Sequence, residues 1–281
     1  MDLSGLSHSS QSTRANGGVI SIVVAVLSVL RGLPLFFRSR PKTPLRVACI
    51  MAFDMLYQLR TSKRLPPNRI RSLAVLLDFG ANVNAAFDGK TYSQDEFQRT
   101  RKLLDDAGMN PTVADYWTQL QQLELRRPSA FGDRLQCRKV QLYREDVVRL
   151  SLGVLTATTC EYASVDEGLH AVRTDFDLQM LYKIVMQLQI IDDVMDFAKD
   201  NAKRLPGFLT ASESLQESFQ LTQHATRSYA VTEGDIHTES LLPLRIAHIV
   251  VSAITRLLVT LGRWRQRIRY VRPVAEHVFG P

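Results

Sequence analysis

Apolar residues recur at spacings of three and four along most of this chain, which is the period of an α-helix with one buried face. Glycine is sparse, with 14 in 281 residues, and clustered turn signals are few. The pattern predicts an all-α fold. We expect helices over residues 44–61, 68–88, 93–106, 112–126, 138–160, 174–203, 212–232 and 241–269.

The N-terminal part differs from the remainder of the chain. Residues 1–16 are polar and rich in serine, which predicts a disordered N-terminus. Residues 17–40 contain an apolar run of about 12 to 14 residues, short of the ~20 that a spanning helix needs. Basic residues follow this run, the reverse of a signal peptide. Three interpretations stay open: a first core helix, an anchor lying on a membrane surface, and a tilted span.

The remainder of the chain has no internal repeat or low-complexity tract, and its apolar content is ample for a core. We expect one helical domain over residues 41–270 and a C-terminal tail over residues 271–281. The last predicted helix is apolar early and rich in arginine late. Its basic end is either a membrane-facing patch or a solvated face.

The net charge of +7 favours an anionic partner, such as a phosphorylated substrate or a membrane surface. Nucleic acid is not expected, because aromatic residues are not interleaved with the basic ones. The three cysteines are far apart and odd in number, which fits a reducing compartment and no disulfide framework. We therefore expect a cytoplasmic protein, either free or at the inner face of the membrane. The sequence does not indicate an oligomeric state.

The strongest candidate for a functional site is a row of acidic residues in the predicted helix 174–203. On a continuous helix that turns about 100° per residue, five polar side chains share an arc of roughly 80°. They are Gln189, Asp193, Asp196, Asp200 and Arg204. Carboxylates at this spacing repel one another, and a buried helix tolerates them best when a cation lies against them. Because Mg²⁺ prefers oxygen ligands, the row predicts a metal site, with a solvated acidic face as the alternative.

A second polar face lies on the predicted helix 68–88. Asp78 and Asn82 share this face with small residues that would leave space for a ligand. Pairing of Asp78 with an arginine such as Arg71 or Arg144 explains the pattern equally well.

The run from Gln187 to Arg204 resembles the second aspartate-rich motif of squalene and phytoene synthases. That motif has acids at the spacing of Asp193, Asp196 and Asp200 and a basic residue near Arg204. The stretch Asp192-Asp193-Val-Met-Asp196 also resembles the DDxxD box of prenyl diphosphate synthases and class I terpene synthases. The likeness covers about 20 residues. It implies an isoprenoid-synthase-type helical bundle around a central cavity.

The activity implied by the resemblance is Mg²⁺-dependent ionisation of an allylic prenyl diphosphate by a transferase closest to squalene and phytoene synthases. A class I terpene cyclase of the same fold is the first alternative, and a non-catalytic, membrane-associated helical protein that retains the fold is the second. The resemblance makes Asp193 and Asp196 catalytic and implies more than one Mg²⁺ ion. The implied metal ligands are Asp192, Asp193, Asp196, Asp200, Asp78 and Asn82.

The resemblance also implies basic residues that bind the diphosphate, since guanidinium groups donate paired hydrogen bonds to phosphate. The implied set is Arg60, Arg144, Lys199 and Arg204, and Gln189 would line the cavity. For the arginines of helix 138–160, pairing with surface acids is an equal alternative. The first aspartate-rich motif departs from the family, because Asp78 is followed by the neutral Asn82 where a richer acidic box is expected.

Overall fold

A computed structural model describes residues 23, 43–87, 94–106, 110–132, 134–160, 164–232, 234, 236 and 239–278. The predictions for residues 1–16, and for residues 17–40 apart from Val23, lie outside the described residues. Within these ranges the chain forms helices and no strands, which confirms the predicted all-α class. The helices are α1 Thr43–Thr61, α2 Pro67–Phe87, α3 Gln94–Asp106, α4 Asn110–Leu125, α5 Arg134–Cys160, α6 Val165–Thr174, α7 Phe176–Met195, α8 Phe197–Lys203, α9 Leu215–Ala230 and α10 Leu242–Val278.

The chain divides into two units, each with its own internal contacts. Unit 1 comprises Met1–Gln119, Leu150–Asp175 and Glu239–Arg245, and unit 2 comprises Leu120–Arg149, Phe176–Thr238 and Ile246–Pro281. All the described acidic-row residues therefore belong to unit 2. A single isoprenoid-synthase-type bundle over residues 41–270 stays a prediction.

The core of unit 1 forms around α2, which packs against α1 and α3. Apolar residues at spacings of three and four give α2 one buried face, as the sequence pattern predicts. The buried residues of this face are Leu73, Leu76, Phe79 and Val83. Phe79 meets the edge of Trp117 on α4, with ring centroids 6.2 Å apart. Burial of this face holds α2 in place and sets the positions of Asp78 and Asn82 within unit 1.

Helix α6 was not predicted, although a local signal for it exists. Ser164 and Glu167 have the spacing of a capping box, and the Ser164 hydroxyl accepts a hydrogen bond from the Glu167 backbone N–H at 3.2 Å. The helix packs closely on α5, because neither Gly153 nor Gly168 has a side chain. A Cβ atom at Gly168 would lie 2.1 Å from the carbonyl oxygen of Gly153.

In unit 2, α7 is apolar over most of its surface and packs against α9 and α8. The predicted single helix over residues 174–203 is wrong, because the chain leaves the helical conformation at Asp196, where φ is −91° and ψ is 4°. The last helix, α10, continues to Val278, past the predicted end at residue 269 and into the segment predicted as a tail.

Two glycines on helices of unit 1 give a matched test of this packing. We expect Gly168→Ala to lower the free energy of unfolding by about 1–3 kcal/mol, because the added methyl group must push α5 and α6 apart. We expect Gly80→Ala to raise it by up to about 1 kcal/mol, since a Cβ there has 3.8 Å of clearance and alanine favours helix. Urea denaturation measures both changes; equal effects of the two substitutions would contradict the close approach.

Candidate functional site

The centre of the candidate site is the carboxylate of Asp193, which is only 3% exposed on α7. One carboxylate oxygen accepts a hydrogen bond from the Arg144 guanidinium at 3.0 Å. The other accepts from the backbone N–H of Phe208 at 2.6 Å. Both oxygens of this buried group are therefore engaged by the protein itself.

Arg144 reaches Asp193 from α5, 49 residues earlier in the chain. A second nitrogen of its guanidinium lies 3.5 Å from the side-chain oxygen of Gln189, one turn before Asp193. Its Nε is buried and has no hydrogen-bond partner in the described structure. Arg144 is thus fixed by Asp193 while part of its hydrogen-bonding capacity stays unused.

The segment after α8 is buried and completes the surroundings of Asp193. Phe208 is fully buried, and the backbone N–H of Gly207 donates to the Thr210 hydroxyl at 2.8 Å. A Cβ atom at Gly207 would lie 2.8 Å from a carboxylate oxygen of Asp193, so only glycine allows this approach. Sequence reasoning missed Gly207, Phe208 and Thr210. The Pro206-Gly207 pair indicated a turn, but it did not indicate that the chain after the turn packs against Asp193 on α7.

The acidic row is bent, which corrects the arc predicted from a continuous helix. Asp196 stands at the junction of α7 and α8, and its carboxylate pairs with Lys199 at 2.5 Å. Arg204 ends α8 in the left-handed conformation, at φ 53°, and lies outside the helix. Helix α8 ends at this point because Pro206 disfavours helical backbone in the residue before it.

Electrostatics around the row show an accumulation of negative charge. Burial raises the pKa of the Asp193 carboxyl, while Arg144 and the Phe208 N–H oppose this rise. Burial, followed by the negative charge of Asp193, raises the pKa of the half-buried Asp200 carboxyl. Asp192 and Asp196 add further negative charge beside Asp193. A cation placed here would relieve the repulsion.

The predicted metal ligands are divided between the two units. Within the described ranges, no three His, Cys, Asp or Glu side chains are placed to hold one metal ion. Asp78 and Asn82 belong to unit 1 and the acidic row to unit 2, so their pairing across one metal site stays a prediction. Asn82 has a buried amide nitrogen without a hydrogen-bond partner.

Three of the four predicted diphosphate-binding residues, Arg60, Arg144 and Lys199, have protein partners. Arg60, in unit 1, pairs with Asp175 at 2.6 Å. Lys199, on α8, pairs with Asp196 at the junction before that helix and is half exposed. Arg204 is exposed. Of the four, Arg144 is the one held against the acidic row by a residue of α7.

Arg149 on α5 shows the alternative expected for the arginines of that helix, which is pairing with acidic residues of the protein. It pairs with Glu145 at 3.0 Å and lies over the ring of Tyr182, 4.8 Å from its centroid. Glu145 also accepts a hydrogen bond from the Tyr229 hydroxyl at 2.7 Å, and burial together with this bond raises the pKa of Tyr229. This network joins α5, α7 and α9, and it uses Arg149 for structure.

Comparison of the chain with protein-family models, with curated proteins and with solved structures found no match. The resemblance to squalene and phytoene synthases therefore depends on the acidic motif.

Removal of Arg144 tests the buried ion pair. We expect Arg144→Met to lower the free energy of unfolding by about 3–5 kcal/mol at neutral pH, because a buried carboxylate loses its counter-charge. Burial raises the pKa of Asp193, so the folded protein binds that proton more tightly than the unfolded chain, and ionisation costs stability as pH rises. The loss in the variant should therefore be smaller at about pH 4 than at about pH 7.

Urea denaturation at the two pH values measures this difference. Lys199→Met, which removes an exposed ion pair of the same row, is the control and should change stability by less than about 1 kcal/mol. A loss from Arg144→Met that is equally small, or that is greater at the lower pH, would contradict the assignment.

Proposed function

We propose that this chain binds a prenyl diphosphate together with Mg²⁺ and ionises it, as a transferase related in mechanism to squalene and phytoene synthases. The observation that carries the proposal is the surplus of negative charge around Asp193. Four carboxylates follow one another within nine residues, and the cations paired with them are Arg144 and Lys199. A divalent cation with a diphosphate is a chemically fitting occupant of such a row.

The buried and exposed members of the row suit different roles. Asp196 and Asp200 are only partly buried, so their oxygens are suited to hold Mg²⁺ together with phosphate and water oxygens. Asp193 suits a positioning role, because its two oxygens already hold Arg144 and the segment at Phe208. Bound Mg²⁺ would supply neutralisation of the departing diphosphate.

Arg144 is the residue best suited to bind the diphosphate. Its guanidinium is fixed in orientation by Asp193, and the side chain is 21% exposed, so it is suited to donate to a phosphate oxygen with little reorganisation. Lys199 and Arg204 are exposed on and just after α8 and can add positive charge beside the same group. In the proposal these residues bind and orient the leaving group.

A second candidate is a helical protein that retains the fold but has lost the chemistry. It is favoured by the lack of a three-residue metal cluster among the described residues and by the single carboxylate at Asp78-Phe-Gly-Ala-Asn82. A terpene cyclase would share the ionisation step with a transferase. The products formed from C15 and C20 prenyl diphosphates separate those two enzymes.

The enzyme proposal predicts a strict dependence on the accessible acids. Asp196→Asn and Asp200→Asn should each reduce Mg²⁺-dependent release of diphosphate from C15 or C20 prenyl diphosphates by about 100-fold or more, since each removes a ligand charge. Asp105→Asn, which removes an exposed carboxylate on α3, is the matched control and should retain wild-type release. Released diphosphate is measured with and without a chelator.

A thermal melt distinguishes the two candidates independently of turnover. The enzyme proposal expects Mg²⁺ and a C15 thiodiphosphate together to raise the Tm of the wild type, because a ligand that binds only the folded state stabilises it. The same addition should leave the Tm of Asp200→Asn unchanged. If the wild type neither releases diphosphate nor shows this shift, the non-catalytic candidate replaces the enzyme.

A further inference from the structure

Helix α10 presents a continuous face of large apolar side chains to solvent. We call it the α10 apolar face, and its members are between 45% and 59% exposed. They are Ile246, Ile249, Val250, Ile254, Leu257 and Leu261. Their spacings of three and four place them on one side of the helix. A contiguous apolar surface of this kind marks an interaction site on a soluble protein.

The opposite side of α10 is packed inside unit 2. The buried residues His248, Ser252, Thr255 and Val259 lie about 180° around the helix from the α10 apolar face. Two of them make specific bonds, since the Ser252 hydroxyl accepts from the Gln187 amide at 2.5 Å and His248 lies 2.8 Å from the Tyr229 carbonyl oxygen. These bonds fix the rotation of α10 and keep its apolar face turned outward.

Within the described residues, α10 is also the helix long and apolar enough to cross a membrane, over Leu242–Gly262. Crossing would expose the buried polar side of α10 to lipid and would break the bonds of Ser252 and His248. Polar groups without partners are costly in a bilayer. The packing therefore favours a helix that lies along a membrane surface, with one face toward the lipid.

A basic groove lies at the edge of the same face. It has a volume of about 420 Å³ and is lined by Arg227 of α9 and by Arg256 and Thr260 of α10. Neither arginine has an acidic partner among the described residues. At about 100° per residue, Arg256 lies at the margin of the α10 apolar face, on the side of Ile249, so positive charge borders that face. Two unpaired guanidinium groups suit the phosphate of a lipid headgroup.

We propose that the α10 apolar face docks on a membrane surface that contains anionic phospholipid, with Arg227 and Arg256 receiving headgroup phosphate. The positive charge of α10 favours an anionic lipid surface as the partner of this face. Beyond the apolar face, the sequence of α10 adds Arg263, Arg265, Arg267, Arg269 and Arg272. An anionic surface neutralises these charges, whereas the α10 helix of a second copy carries the same excess of arginine. The inference is independent of the prenyl diphosphate proposal.

Vesicle flotation of the full chain tests the docking. The wild type should float with phosphatidylcholine vesicles containing about 30% phosphatidylglycerol and much less with phosphatidylcholine alone. Leu257→Asp should abolish flotation, because a charge on the apolar face opposes contact with lipid. Leu125→Asp, at a residue 88% exposed on α4, is the matched control and should float like the wild type.

The basic groove is tested by its charge. Arg227→Gln combined with Arg256→Gln should weaken binding to the anionic vesicles by about tenfold or more. Arg64→Gln combined with Arg126→Gln removes the same charge from exposed positions elsewhere and should have a smaller effect. Equal losses from the two double variants would overturn the role of the groove.

A fluorescent probe on α10 measures whether the α10 apolar face itself contacts lipid, even if another segment also binds the vesicles. The dye is attached to Ala253→Cys in a Cys49→Ser, Cys160→Ser background, where the one other cysteine, Cys137, is buried. An environment-sensitive dye there should report an aqueous environment without vesicles and an apolar environment with them. The same dye on Leu125→Cys should report water in both conditions. No change of the signal at position 253, or an apolar signal before vesicles are added, would overturn the proposal. A dimer in the absence of vesicles would identify a second copy of the chain as the occupant.

Discussion

The Asp193 carboxylate is buried on α7 and depends on two donors, the Arg144 guanidinium and the backbone N–H of Phe208. A charge removed from water is tolerated only when paired and hydrogen-bonded, so neither donor can be absent. One carboxylate therefore ties α5 and the segment after α8 to α7. The close approach of Gly207 follows from the same constraint, because a side chain there would displace the carboxylate.

The same helix links the acidic row to the exposed face of α10. Gln187, which lies fully buried six residues before Asp193, donates to the Ser252 hydroxyl on α10. Within unit 2, α7 thus positions both the candidate diphosphate site and the proposed lipid-docking face. The two proposals are chemically compatible, since a prenyl diphosphate has an apolar chain and an anionic head. Each also stands on its own observations.

The sequence pattern predicted most helices because burial of one face leaves a regular spacing of apolar residues, as on α2. It missed α6, whose ten residues are too few for a clear period, although the spacing of Ser164 and Glu167 was a usable signal. The bend at Asp196 escaped prediction because a helical wheel assumes uniform backbone angles.

The acidic row was visible in the sequence, but the partners of Asp193 were not. Arg144 is 49 residues from Asp193 along the chain, and a donor on the backbone of Phe208 leaves no trace in residue type. Such pairing is decided by tertiary packing. The exposed side of α10 was equally hidden, because an apolar helix in a sequence looks the same whether it faces a core or a membrane.

The central claim is that the row around Asp193 binds a diphosphate only together with a divalent cation. Calorimetric titration of inorganic diphosphate into the full chain tests it most directly. The account predicts saturable binding when Mg²⁺ is present and none when it is chelated, because the uncompensated carboxylates repel the free anion. Binding that is equal with and without Mg²⁺, or no binding in either condition, would contradict it.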